Sequence, residues 1–179
     1  MPEPQSDHSR LAALAESYNK MLEWARHLWP QRREQKHSRF HDVMARLREK
    51  LVQAGELTQE EIDRVIGYLQ RDIHDAARYI ADQERELSDW LRLDALLVER
   101  QLLELFSLFV DETRLELDHL KYLADRDGRW RSGEITGIGT LQCEQCGQRL
   151  HFHKTAHIPP CPKCHGTTFR RPHHEGGEA

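Results

Sequence analysis

All four cysteines of the chain fall in one run of 22 residues, CEQCGQRLHFHKTAHIPPCPKC, as two C-x-x-C pairs, Cys143/Cys146 and Cys161/Cys164, with fourteen residues between them. Two thiolates with two residues between them reach one metal ion only where the backbone turns sharply. A second such turn, brought back by a hairpin, completes a tetrahedral sulfur shell suited to Zn²⁺. The spacing therefore predicts a structural zinc ribbon with Cys143, Cys146, Cys161 and Cys164 as ligands. Four sulfurs leave no open coordination position, and catalytic zinc needs one, so metal-assisted hydrolysis is not expected. Rubredoxin-type iron uses the same shell, and the residues alone do not separate it from zinc. A redox C-x-x-C belongs at a helix N-terminus in a βαβ setting, which the sequence does not show. Structural disulfides need an oxidising compartment, and the run MPEPQSDHSRLAALAES has no apolar signal segment. The expectation is a protein of the cytoplasm.

The knuckle residues refine this picture. Gly147 follows the first pair and can take the positive φ that points backbone N–H groups at a sulfur. After the second pair stands His165, with Gly166 one place late; histidine is among the side chains that tolerate the left-handed region, so a turn is expected there too.

Ahead of the cysteines the pattern changes. Residues 1–125 carry 18 Lys and Arg against 25 Asp and Glu, a balance of −7, whereas residues 126–179 carry 8 against 5, a balance of +3. Zn²⁺ with four thiolates adds −2, so the ribbon carries no bulk basic charge of the kind that marks a general nucleic-acid binder. No apolar run approaches the ~20 residues that span a bilayer, so no membrane role is expected.

Apolar residues in the first 125 positions recur at helical spacing. Leu11, Leu14, Tyr18, Met21, Leu22, Ala25 and Leu28 form one stripe, with Ser6 or Asp7 as the expected cap and Pro30 closing it. The polar run 31–38 reads as a loop or a frayed helix. A second stripe runs from Phe40 to Val52 and ends at Gly55. Thr58 and Glu61 then form a capping box, with Leu57 and Ile62 as its staple. From there Ile62, Ile66, Leu69, Ile73, Ala76, Ile80, Leu87 and Trp90 hold one seam. It loses phase near Ser88–Asp94, and Leu96, Leu103, Val110, Leu117 and Ala124 take over, flanked by Phe106 and Leu120. The phase break predicts a chain reversal and a mainly α fold: an elongated antiparallel helical hairpin or bundle, then a small C-terminal β zinc ribbon. The helical region is expected over 1–125, a joint over 126–139, the ribbon over 140–172 and a disordered tail over 173–179. Histidines 27, 37, 41, 74 and 119 read as surface residues on the helices.

Ile135, Ile138 and Leu141 alternate with glycines, which suggests extended backbone making close contacts. Trp130 is placed to pack the ribbon against the helices. Gln148–His153 and Thr167–Arg171 are the expected ribbon strands, with His151 and His153 on one face and Leu150 and Phe152 on the other. His151, His153 and His157 read as solvent-facing, since four cysteines already complete a zinc shell.

The runs Ser132-Gly133-Glu134, Gly137-x-Gly139-x-Leu141-x-Cys143-x-x-Cys146, Cys161-Pro162-Lys163-Cys164 and Arg170-Arg171-Pro172 resemble a bacterial zinc ribbon-containing protein family of unknown function. So does the helical turn Gly55-Glu56-Leu57-Thr58. The resemblance implies cysteine ligands at 143, 146, 161 and 164 and a cytoplasmic bacterial protein; His165 departs from the glycine usual after the last cysteine. Two readings of function remain. In the first, a non-enzymatic scaffold engages a protein partner, or a second copy of itself, through its helical stripes. In the second, Arg149, Lys154, Lys163, Arg170 and Arg171, with Phe152 and Phe169, grip nucleic acid.

Overall fold

Thr58 starts the best-defined helix: its backbone N–H donates to Glu61 Oε2 at 2.8 Å, and the Glu61 N–H donates back to Thr58 Oγ1 at 3.3 Å. The two bonds satisfy N–H groups that a helix start otherwise leaves open, as the capping box predicts. A computed structural model describes residues 4–28, 39–83, 87–92, 98, 100–116 and 129–172. Its helices are α1 (Pro4–Leu28), α2 (Arg39–Ala54), α3 (Gln59–Gln83), the short α4 (Leu87–Leu91) and α5 (Arg100–Glu116). The expected loop at 31–38, the tail at 173–179 and the stripe residues Leu96, Leu117, Leu120 and Ala124 lie outside the described residues. Helix α1 begins at Pro4, ahead of the expected Ser6 or Asp7 cap, a position that suits proline because its missing N–H would be unpaired there anyway.

The stripes meet one another. Tyr18, Met21 and Leu22 of α1, Leu47 of α2, Ile62, Leu69 and Ile73 of α3, and Phe106 and Val110 of α5 close on a single core. Helix α5 packs on both α3 and α1. Its buried face is therefore broader than the expected seam: Leu102 and Leu105 are buried and Leu103 is half-buried. The phase break is real and has a backbone cause. After α4, Arg92 takes a φ of 54°, in the left-handed region that ends a helix. Trp90 and Leu91 of α4 are fully buried, and the Trp90 ring stacks on Phe106 at 5.4 Å. His27 and His41 are exposed as expected. His74 is not: it meets Phe40 edge-on at 4.8 Å, and burial lowers its pKa.

The ribbon has six short strands: β1 (Trp130–Arg131), β2 (Ile135–Thr136), β3 (Gly139–Cys143), β4 (Arg149–Phe152), β5 (Ala156–His157) and β6 (Thr168–Arg170). They form an antiparallel four-stranded sheet in the order β1-β6-β3-β4 and a two-stranded sheet of β2 and β5. Opposed residues share a face. Trp130, Phe169 and Cys143 align across three strands, and Leu141 faces Leu150. These residues, with Phe152, Ile158 and Cys161, make a second small core. The segment 126–139 thus supplies β1, β2 and the start of β3. Ile135 and Ile138 point the other way, into the helical core.

Candidate metal centre

The two knuckles are built alike. Gly147 N–H donates to Cys143 O at 2.9 Å, and His165 N–H donates to Cys161 O at 2.8 Å. Cys143 N–H reaches Gln148 O at 2.8 Å, and Cys161 N–H reaches Gly166 O at 2.9 Å. The pivot residues match as well: Gly147 has φ 73° and His165 has φ 58°. Histidine thus takes the left-handed conformation that the second knuckle demands, and the departure from glycine leaves the turn intact.

This geometry gathers the sulfurs. Cys143 Sγ lies 3.6 Å from Cys164 Sγ, Cys146 Sγ lies 3.6 Å from Cys161 Sγ, and all four sit within 4.8 Å of one another. A tetrahedron of Zn–S bonds of about 2.3 Å has edges of about 3.8 Å, so the cluster has the size such an ion requires. Its protonation equilibria point the same way. Burial raises the Cys161 thiol, but amide hydrogen bonds from Cys164 and Lys163 and the sulfurs of Cys146 and Cys164 outweigh it and bring the pKa to about 7. A Gly166 amide lowers the Cys164 thiol, but the Cys146 sulfur, burial and the Cys143 and Cys161 sulfurs push it up to about 12. Four thiolates this close need a dication among them. Cys143 and Cys161 are buried, while Cys146 and Cys164 are partly open. His151 instead uses Nδ1 to meet Thr140 Oγ1 at 2.9 Å, and His153 and His157 are exposed. Among the described residues, these cysteines are the one group gathered as metal ligands.

The sequence profile of the zinc-ribbon containing domain family matches residues 27–173. The chain belongs to that family. Its relatives include the uncharacterized protein YbeL of Escherichia coli strains K12, O6:H1 and O157:H7. Each is 29% identical over 160 residues, covering 86% of this chain and 96% of the relative. No solved structure matches the chain significantly.

In this zinc-ribbon containing domain a second polar centre joins ribbon to helices, and the sequence reading missed it. Asp72 of α3 is fully buried. Its Oδ2 accepts from Tyr18 Oη at 2.9 Å, Thr136 Oγ1 at 3.2 Å and the Gly137 N–H at 2.7 Å. Its Oδ1 accepts from Trp130 Nε1 at 2.8 Å and Arg71 Nε at 3.3 Å. Arg71 also pairs with Glu134 and donates to Ile135 O at 2.9 Å. Trp130 does pack the ribbon against the helices, through a hydrogen bond as well as its ring. The one available signal was a carboxylate at position 72, next to Leu69, Ile73 and Ala76 on an apolar stripe.

Arg171 completes this centre. It is fully buried between the Trp90 ring at 4.3 Å and the Trp130 ring at 5.0 Å. Its guanidinium donates to Thr140 O and Thr136 Oγ1, each at 3.3 Å, and lies 3.9 Å from Asp72 Oδ1. Burial lowers its pKa against the opposing pull of Asp72 and Asp75. The glycines give it room: a Cβ on Gly137 would stand 2.6 Å from Tyr18 Oη, and one on Gly139 would collide with Arg171.

These positions revise the expected nucleic-acid set. Arg149, Lys154 and Lys163 are exposed and Arg170 is half-buried, but Arg171 is inside, and so are Phe152 and Phe169. Arg171 is held by Asp72 and two indoles, and the phenylalanines fill the small core, so none of the three faces a ligand. The helical stripes likewise spend their apolar area on one another. Val52 is the one large hydrophobic side chain left exposed among the described residues.

Proposed function

We propose that the protein is a non-enzymatic interaction and scaffold module of the bacterial cytoplasm. Zn²⁺ braces the ribbon, and the helices hold the ribbon in a fixed orientation toward a macromolecular partner. The closed four-sulfur cluster carries this reading: such a shell stabilises a fold and offers no vacant position to a substrate. Two features support it. The Asp72 centre ties the ribbon to the bundle at several points, which suits a mounted recognition element better than a tethered one. Among the described residues the apolar stripes are covered within the chain, so a partner or second copy would engage polar surface there. Thiols in the cytoplasm stay reduced and free to bind metal. Within the described residues no helix is long and apolar enough to cross a membrane.

X-ray absorption at the metal edge of the purified protein tests the central point. The expected result is zinc with four sulfur ligands at about 2.3 Å. A shell containing an oxygen ligand, or iron with reversible reduction, would overturn the structural role. Crosslinking in the native bacterium tests the interaction. Partners should crosslink to residues 129–172 of the wild type and be lost in Cys143→Ser; partners retained by that variant would show that the ribbon is not the recognition element.

A further inference from the structure

Strand β4 is one edge of the four-stranded sheet; the other edge, β1, is two residues long. Hydrogen bonds fix which backbone groups of β4 are already used. Cys143 N–H donates to Gln148 O, so these two form a hydrogen-bonded pair. Because such pairs alternate along an antiparallel ladder, Leu141 with Leu150 and Gly139 with Phe152 are hydrogen-bonded pairs too. Arg149 and His151 fall between them, and their N–H and C=O groups point away from β3, out of the edge of the sheet. One of these groups already holds a side-chain donor: Gln148 Nε2 reaches Arg149 O at 3.0 Å. The end of α4 bears on β3, where Thr140 Oγ1 donates to Leu91 O at 2.8 Å. That cover stops short of the edge, and Arg149, His151, His153 and Lys154 are all exposed. Among the described residues neither Arg149 nor Lys154 has an ion-pair partner.

We infer that this edge accepts an extended acidic segment of a partner protein, added antiparallel to β4 as a fifth strand. The inference rests on the reading of the chain as an interaction module and names the kind of partner. An open edge offers ladder bonds to any strand, so side chains choose the occupant. Residues of an added strand share a face with those they oppose. Opposite Arg149 and His151 a carboxylate meets positive charge, and Lys154 just past the strand adds a second cation. Opposite Leu150, which is half-buried at the rim of the ribbon's small core, an apolar side chain extends that core. The fitting segment therefore alternates acidic and apolar residues. A second copy of this chain fits less well: pairing two β4 edges puts both Arg149 side chains on one face, and like charges opposed across a ladder are destabilising. Nucleic acid has no row of amides to fill the ladder.

Fluorescence anisotropy on the intact zinc-loaded protein tests the inference, with a trace of a labelled hexapeptide of alternating glutamate and valine at low salt. This peptide should bind, and a lysine–valine peptide of the same length should not. In the added strand the glutamate amides face β4 and the valine amides face away. N-methylation of the glutamate amides should therefore weaken binding at least about tenfold, and N-methylation of the valine amides less than about threefold. His151→Pro removes an edge N–H that β3 does not use and should also weaken binding at least about tenfold, whereas His151→Ala keeps that N–H and should cost less than about threefold. Arg149→Glu should weaken the glutamate peptide at least about fivefold. Zinc content and the far-UV spectrum check each variant; if His151→Pro fails to fold, the two methylated peptides decide. No binding of the glutamate peptide, or equal loss from both methylations, overturns the proposal. So does labelled oligo(U) binding in the absence of peptide binding, which would give the cations to a polyanion. Self-association at sedimentation equilibrium that His151→Pro abolishes would give the edge to a second copy and overturn the acidic partner. Any of these failures with a four-sulfur zinc shell leaves the module reading standing, whereas failure of the shell removes both.

Discussion

In the knuckles of the ribbon, four sulfurs crowd within 4.8 Å of one another; where the ribbon meets α3, one carboxylate is ringed by donors. The first cluster gathers four thiols at a spacing that a metal dication would complete. The second is completed by the chain itself, with Arg71 and Arg171 supplying positive charge and Tyr18, Thr136, Trp130 and the Gly137 amide supplying hydrogen bonds. Burying an ionised carboxylate is costly unless its oxygens are all satisfied. Asp72 meets that condition only when ribbon and bundle are both in place. The metal centre therefore specifies the ribbon's own shape, and the Asp72 centre specifies how the ribbon sits.

The largest effect separating the two centres should come from the metal. Cys143→Ser, or a strong chelator, removes a binding free energy of roughly 10–16 kcal/mol in comparable small zinc modules, more than the ribbon's few apolar residues supply. Hydrogen exchange should show loss of protection over 139–172 while most of the helical far-UV signal stays. Collapse of the whole helical spectrum would mean that the two centres are not separable.

Next in size is Asp72→Ala, which takes the shared acceptor from the buried Arg171, the part-buried Arg71 and several other donors. The expected cost is about 3–5 kcal/mol in urea unfolding, with one zinc still bound per chain. A cost below about 1 kcal/mol would show that the ribbon is seated by shape alone.

Tyr18→Phe is smaller, about 1–2 kcal/mol for one donor to a charged acceptor. It also has a pH signature. Burial first, and then the Asp72 charge, raise the Tyr18 pKa well above its ordinary value of 10.0. A raised folded-state pKa means that the contribution is complete below pH 10 and is lost as pH rises beyond it. The wild type should therefore lose its advantage over Tyr18→Phe above pH 10, and one phenol should resist spectrophotometric titration until the chain unfolds. Equal alkaline behaviour of the two proteins would remove Tyr18 from the centre.

The same contrast explains what could be read beforehand. The metal site was legible because its constraint is local: thiolates two residues apart must turn, and the turn residues Gly147 and His165 stand beside them. Thr58 and Glu61 announced a helix for the same reason. The Asp72 centre draws in Tyr18 from 54 positions away, Gly137 from 65 and Arg171 from farther still, and no short-range spacing encodes that. Arg171 was misread because it follows Arg170 and resembles half of a surface pair. In the fold Arg170 stays with the strand β6, whereas Arg171 just beyond it turns inward to lie between Trp90 and Trp130. The helical stripes were legible as the faces of a hairpin or bundle, but not which helices pair, which depends on how α5 packs against both α1 and α3.

The place of Arg171 in the chain order has a consequence for synthesis. Asp72 emerges from the ribosome on the order of a hundred residues before Arg171, an interval of roughly 5–20 s at bacterial elongation rates. For the first part of that interval, until Trp130, Thr136 and Gly137 are made, the nascent helices carry an acidic side chain with only Tyr18 and Arg71 of its eventual partners present. The bundle can condense early, but the Asp72 centre can be completed only once Arg171 has been made.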